Sequence, residues 1–184
     1  MNLEPTDLAG EKTELIPLRR VHFEELYAVA SDPLVWEQHP NPDRYKREVF
    51  KTFFDGAMEM EGAFLIRDAA TGEAIGSSRF YDFDEGRSEV KIGYTFFARS
   101  CWGKGYNQEA KRLMMDHAFK HVEQIIFHIG VNNRRSRIAI ERLGAENIGE
   151  VEVAYYGEMP KRNAVYRITK PSWDEVGWGS GRPT

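Results

Sequence analysis

At 184 residues, with 41% hydrophobic and 29% charged side chains, the chain has the length and composition of one globular domain with a buried core. A formal net charge of −4 argues against a nucleic-acid binder, which needs a basic face, and favours a cationic substrate. The one cysteine excludes an intrachain disulfide, and no apolar run reaches membrane-spanning length. Met1-Asn2-Leu3-Glu4-Pro5 lacks the regions of a signal peptide, so a cytoplasmic protein with no membrane or nucleic-acid partner is expected.

Residues 1–11 are polar and expected to be flexible. One domain is expected over 12–172, with no internal repeat, and 173–184 reads as a C-terminal tail. Thr13–Leu18 reads as a strand. His22–Ala30 reads as a short helix, because Phe23, Leu26, Tyr27 and Ala30 fall on one face. Ser31-Asp32-Pro33 breaks that helix. A proline-punctuated loop follows, carrying Trp36, Glu37, Gln38 and His39. Asp43 is placed to cap a second helix reaching Met60, whose apolar side holds Phe50, Phe53, Phe54 and Met58. Gly62–Arg67 and Ala74–Tyr81 read as a hairpin around Thr71-Gly72, and Asp82–Arg87 as an acidic turn.

The run Val90-Lys91-Ile92-Gly93-Tyr94-Thr95-Phe96-Phe97 is apolar, aromatic and β-branched, hence a strand. Ala98 to Ala110 then opens a helix that runs to about Lys120. Gly103 and Gly105 permit positive φ and close backbone approach. A helix start carries N–H groups without intrahelical partners and partial positive charge, so a glycine-rich entry suits a phosphate or pyrophosphate. The dinucleotide fingerprint would need glycine at Gln108, and the P-loop would need Ser or Thr at Gly105. A strand over Gln124–Val131 follows, then a helix over Arg134–Leu143, capped by Asn132-Asn133 and ended by Gly144. Ala145–Tyr156 and Ala164–Lys170 read as two closing strands.

Taken together, Trp102-Gly103-Lys104-Gly105-Tyr106-Asn107-Gln108-Glu109-Ala110, Asn133-Arg134-Arg135-Ser136 and Leu143-Gly144 resemble the acetyl-CoA-binding core of the GNAT N-acetyltransferases. Within that family they resemble the branch that includes ribosomal-protein N-terminal acetyltransferases. The element order β-α-α-β-β-β-α-β-α-β-β fits too, and implies a mixed α/β sheet fold. Three positions depart from the family's pattern: Ser100 stands where Arg or Gln is usual, Ala145 where Phe is usual, and Lys91 where many relatives carry Glu.

The resemblance implies that the amides from about Trp102 to Asn107, and so Trp102, Gly103, Lys104, Gly105, Tyr106 and Asn107, hold the pyrophosphate of acetyl-CoA. It implies that the strand around Tyr94, Phe96 and Phe97 pairs with the pantetheine arm, as an added strand would. Asn133 would hydrogen-bond that arm, although it also reads as a plain helix cap. The resemblance also implies that Ser136 sits near the thioester sulfur; the spacing of Ser136, Ile140 and Leu143 shows only that they share a helix face, which must look inward.

A primary-amine acceptor, a small molecule or a protein N-terminus, must lose a proton before attack, and Glu89 is the expected general base. It lies two residues before Lys91 on the same strand face, and reads equally as a polar strand-end residue. Cys101 reads as a packing residue rather than a nucleophile. His117 and His121 are spaced i, i+4, but Ala118 replaces the glutamate of a zinc-protease helix, so no metal is expected. Trp36, Glu37 and His39, with Asp82, Asp84 and Glu85, are expected to flank the acceptor.

The functional expectation is acetyl transfer to a primary amine by direct attack. The alternatives are a catalytically silent CoA-binding sensor on the same fold and, on the two histidines, a zinc hydrolase. A homodimer is left open.

Overall fold

Continuous apolar strands that are buried on both faces build the sheet. In Leu15-Ile16 and in Phe64-Leu65-Ile66, successive side chains enter opposite core clusters, as a strand's alternation requires. The computed structural model describes residues 3, 5–154 and 158–176. Its strands are β1 (Leu8–Ala9), β2 (Thr13–Pro17), β3 (Ala63–Asp68), β4 (Ala74–Asp84), β5 (Glu89–Phe97), β6 (Gln124–Gly130), β7 (Glu146–Val153) and β8 (Lys161–Thr169). They form one sheet in the order β1-β2-β3-β4-β5-β6-β8-β7, antiparallel throughout except for the parallel pair β5–β6.

Helices α1 (Phe23–Ala30) and α2 (Arg47–Met60) cover one face. Phe50, Phe53, Phe54 and Ala57 pack there on Leu65 and Phe96. Helix α3 (Tyr106–Ala118) covers the other face, with α4 (Arg134–Glu141) and α5 (Lys170–Val176) beside it. There Ala110, Met114, Met115 and Ala118 pack on Val90, Ile92, Ile125 and Phe127.

Three local expectations need correction. The helix read from Asp43 is two elements. A short 3-10 turn over Pro42–Tyr45 is capped by the Asn41 side chain, which accepts from the Asp43 amide. Lys46 is extended before α2 begins, because Asn41-Pro42 starts its own turn. Residues 1–11 are not wholly loose, since Leu8 and Ala9 pair with Leu15 and Glu14. Trp173, read as the start of a tail, lies in α5. It is buried and donates its indole N–H to Asp116 Oδ1 at 2.7 Å. A lone tryptophan in a polar stretch carries no periodic signal, and burial of its ring pins the segment to α3.

Glu109, in the first turn of α3, ties that helix to the start of the sheet. Its carboxylate accepts from the amides of Glu11, Lys12 and Thr13 at 3.0, 2.9 and 2.7 Å, and from the Thr13 hydroxyl at 2.7 Å. A Cβ on Gly10 would lie 2.5 Å from the Glu109 carboxyl carbon, so only glycine admits the chain this close. Burial pushes the carboxyl's pKa up, but the hydrogen bonds outweigh it and hold the pKa below the usual carboxylate value. A depressed pKa adds stability above the unfolded-state value, about 4.3, that is lost as pH falls through the folded-state value. Glu109→Ala is expected to cost about 2 kcal/mol at pH 7, since hydrogen bonds to charged groups are lost. The melting temperature should fall by roughly 4–8 °C. Thermal melts in a pH series should show the gap to wild type closing below about pH 4.

Candidate active site

Strands β5 and β6 pair over three rungs only, Glu89↔Gln124, Val90↔Ile125 and Lys91↔Ile126. Beyond them β6 continues against β8 alone, so the β6-facing edge of β5 from Ile92 onward has no strand partner. A bulge causes the separation. Gly93 pairs with Arg79 and Phe96 with Ser77, so Tyr94 and Thr95 together face Ser78. Tyr94 takes the positive φ of 53° that this needs. The extra residue inverts the alternation. Val90 and Ile92 point to the α3 side, yet Phe96 points to the α1–α2 side and Phe97 back toward α3. Between the separated strands lies a cleft of about 530 Å³.

One end of the cleft is the entry to α3. Gly103 and Gly105 have φ of 70° and 86°, and a Cβ on Gly103 would meet no protein atom within 4 Å. The Trp102 amide bonds to Arg99 O, but among the described residues the amides from Gly103 to Gln108 donate to no protein acceptor. A run of free amides at the positive end of a helix is an anion cradle. Arg135 stacks its guanidinium 3.7 Å from the centre of the Trp102 ring, beside this mouth.

The middle is walled by β5, α3 and α4. Asn107 and Lys111, one helical turn apart, line it from α3, and Asn133 and Ser136 line it from α4. Asn133 also caps α4 by accepting from the Ser136 amide at 3.2 Å. The Asn107 side-chain oxygen is buried without a partner, which leaves it an acceptor for an amide N–H in the cleft. Burial pushes the Cys101 thiol's pKa up, which disfavours the thiolate a nucleophile would need.

The loop after α1 roofs the cleft, from Val35 beside Arg135 to Pro40 on Gly130. Pro40 packs so tightly on Gly130 that a Cβ there would lie 2.5 Å from the ring. Arg135 donates its amide N–H to Gln38 Oε1 at 3.2 Å and its guanidinium to Val35 O at 3.4 Å. Trp36, His39 and Arg44 face the cleft under this roof, opposite Tyr94 and His128. Arg44 is buried. It donates through Nε to Glu158 at 2.7 Å, lies 4.7 Å from the Phe53 ring centre and approaches His39 Nε2 at 3.1 Å. Burial, then the Arg44 charge, push the His39 pKa well below the usual histidine value, so His39 is neutral.

Of the expected residues, Tyr94, Phe96, Phe97, Trp102, Gly103, Gly105, Asn107, Asn133, Ser136, Trp36 and His39 come together along this cleft. Others do not. Glu89 stands on the paired stretch opposite Gln124, about 10 Å of strand before Ile92. Lys104 and Glu37 are exposed outside the lining. The Tyr106 side chain turns away and donates to Asp68 at 2.7 Å, leaving only its amide at the cradle. Asp82 is engaged by Lys91 at 2.9 Å and Asp84 by Arg87 at 3.6 Å, while Glu85 is exposed outside the lining. His117 and His121 lie on the α3 side, ring centres 5.6 Å apart. Among the described residues no three His, Cys, Asp or Glu side chains converge. Tyr155 and Tyr156, the next candidates after Ser136 to donate to the sulfur, lie outside the described residues. Sequence reasoning missed Lys111, Arg44, His128 and Arg135. Lys111 did carry a signal, a charge beside the apolar positions Ala110 and Met114.

A splayed parallel pair, an open strand edge and an amide cradle define a protein that binds an extended, amide-bearing, phosphorylated ligand across its sheet. A family model described as acetyltransferase (GNAT) domain matches residues 12–146, and the chain belongs to that family. It is similar in structure to a GCN5-related N-acetyltransferase from Brucella melitensis, with TM-score 0.80 and 21% identity over 93% of this chain and 81% of that one. It is also similar to a spermidine N-acetyltransferase from Vibrio cholerae in complex with CoA and spermine. There the TM-score is 0.68 and the identity 14%, over 89% of this chain and 99% of that one. In sequence it is 32% identical over 84 residues to the uncharacterized protein YkkB of Bacillus subtilis (strain 168). That match takes in 44% of this chain and 48% of YkkB, so the chain spans about half the length of this relative.

The cradle generates a prediction. Gly105→Val forces a β-branched residue to a φ of 86° and crowds the run of free amides. Acetyl-CoA is expected to raise the melting temperature of the wild type by mass action and to leave that of a folded Gly105→Val variant unmoved. Differential scanning fluorimetry with a circular-dichroism check of folding reads this directly, and an undiminished shift would place the anion elsewhere.

Proposed function

We propose that the protein transfers the acetyl group of acetyl-CoA to a primary amine by direct attack. The observation that carries this reading is the open edge of β5 running into the free amides at the start of α3. One edge suits the pantetheine amides, and the cradle suits the pyrophosphate. The acceptor would enter at the opposite end, under the Trp36–Pro40 roof, so that amine and thioester meet midway. Trp102–Ala110 supports the branch of protein N-terminal acetylation, and the Vibrio relative supports a polyamine, so both amines belong in the acceptor panel.

Direct attack needs a neutral amine. Glu89 is too far back along β5 for this, so the proton would leave at the acceptor end, directly or through water. His39 is neutral there, and Glu158 keeps Oε2 without a hydrogen-bond partner while Oε1 holds Arg44. The tetrahedral intermediate then collapses and expels the CoA thiolate. Ser136 lines the cleft from α4, whose Ile140 is buried, and would donate to the sulfur. The absence of Glu89 from the cleft is what favours the second reading, a silent CoA-binding sensor.

An amine panel assayed for free thiol separates the two readings. Amine-dependent CoA release supports transfer, and tight CoA binding without release for any amine supports the sensor. Ser136→Ala is expected to lower kcat by about 10- to 1000-fold with little change in acetyl-CoA Kd, because the bond to sulfur strengthens in the transition state. Wild-type kcat in this variant would reduce Ser136 to a helix residue.

A further inference from the structure

Lys111 is the least expected residue in the cleft. It lies on α3 one turn after Asn107, is 7% exposed and lines the space between β5 and β6. Buried lysines are normally paired with a carboxylate. Lys111 instead donates to two hydroxyls, Ser78 Oγ at 3.1 Å and Thr95 Oγ1, with its ammonium 5.9 Å from the Phe127 ring centre. The same bulge that opens the cleft turns Thr95 toward α3 to receive it. The two hydroxyls also bond one another at 2.8 Å, and both are neutral, so neither offsets the charge of the lysine. A cation has thus been buried at a site whose lining supplies no negative charge of its own.

We infer that Lys111 is the acid that meets the departing CoA sulfur, with the ligand itself supplying the missing negative charge. This rests on the acetyl-transfer reading and names a residue which that reading does not need. In the step, the amine nitrogen bonds to the thioester carbonyl carbon, the C–S bond breaks and its electron pair goes to sulfur. Sulfur takes a proton from the Lys111 ammonium. The attacking amine loses one proton, which returns to neutral Lys111 through water, so amine and acetyl-CoA become amide and free thiol with the enzyme unchanged.

The energetics favour lysine here over a hydroxyl. Burial alone pushes the Lys111 pKa down to about 7, and no charged side chain of β4, β5, β6 or α4 contributes. A thiol has a pKa of about 8.5 and an ordinary lysine about 10.4. Proton transfer from an exposed lysine to a thiolate is therefore uphill, whereas burial brings the Lys111 ammonium close in pKa to a thiol held beside it, so the proton can pass to the sulfur. A serine hydroxyl is a far weaker acid, so Ser136 on the α4 wall can hydrogen-bond the sulfur while Lys111 on the α3 wall protonates it. The buried ammonium also stabilises the thiolate through a low-dielectric path.

The test reads the sulfur itself. Free CoA is titrated with the protein, and the ultraviolet absorbance of its thiolate is followed against pH. In the wild type the bound thiol is expected to titrate about 1–3 units below CoA in solution, the usual effect of an opposite charge within 4–6 Å. Lys111→Met, close in length and uncharged, should remove that shift. It should also lower kcat by about 10²–10⁴-fold at unchanged acetyl-CoA Kd. Wild-type kcat is expected to fall at alkaline pH as Lys111 deprotonates, and the variant should lose that limb. CoA that binds the wild type and titrates as in solution overturns the proposal, and so does a Met variant that keeps the shift or the rate. If the variant does not fold, the wild-type titration alone still decides. Failure of CoA to bind would be a different result, and would overturn the cofactor reading itself.

Discussion

The bulge at Tyr94–Thr95 is the constraint on which the rest depends. A one-residue insertion in a strand exchanges its two faces, because side chains alternate with period two. In β5 that exchange sends Phe96 into the aromatic cluster with Trp36, Phe50 and Phe53, and turns Thr95 under α3. It also ends pairing with β6 after three rungs. The left-handed conformation of Tyr94 costs about 1–3 kcal/mol. Packing offsets this, with the Arg79 guanidinium 3.9 Å from its ring centre and Tyr81 edge-on at 5.1 Å. Arg79 is itself buried, its pKa pushed down to about 10 by burial, and it donates to Phe53 O at 3.2 Å. Strain at the bulge is thus held from behind by the α1–α2 layer, and the gap in front of it is the cleft.

Charge inside the molecule runs opposite to charge outside. The chain carries a formal −4, yet the cleft is lined at one end by free amides, a helix N-terminus and Arg135, midway by Lys111, and at the other end by Arg44. Glu158 meets the Arg44 charge, and Asp82 and Asp84 are engaged by Lys91 and Arg87 outside the lining. A net charge sums over a surface and describes the far field, whereas a ligand in a water-poor cleft responds to the few groups that face it. The acidic residues that composition offered for an ammonium are therefore not the ones lining this cleft, and the cationic lining is what an anionic co-substrate requires.

Motif glutamates and tyrosines divided in an instructive way. Glu109 and Tyr106 sit in the stretch that carries the family resemblance, and both turned out to brace the scaffold. Glu109 gathers the loop before β2, and Tyr106 reaches the β3–β4 hairpin through Asp68. Neither partner is near in sequence, so no local spacing announces it. Their work still serves the site, because they fix the first turn of α3 and with it the aim of the free amides.

Most of the strands and helices, and the amide cradle, were legible in the sequence because each is a local consequence of residue type, whereas β1 and α5 were not. β-branched and aromatic runs make strands, apolar spacing makes helices, and Gly103 and Gly105 permit the positive φ of a helix entry. The inward face of Ser136, Ile140 and Leu143 followed from helical periodicity alone. Only the tertiary structure could decide what depends on register and on distant partners. A bulge is invisible in composition, yet by shifting the strand one residue it decided that Thr95 and Lys111 would meet. It also set where pairing stops, which leaves Glu89 on the closed side of the splay. The roof of Val35–Pro40 on Gly130 and Arg135, the burial of Trp173 and the pairing of Arg44 with Glu158 join positions far apart in the chain. The free energy of such contacts comes from desolvation and close packing in three dimensions, and no one-dimensional pattern encodes it.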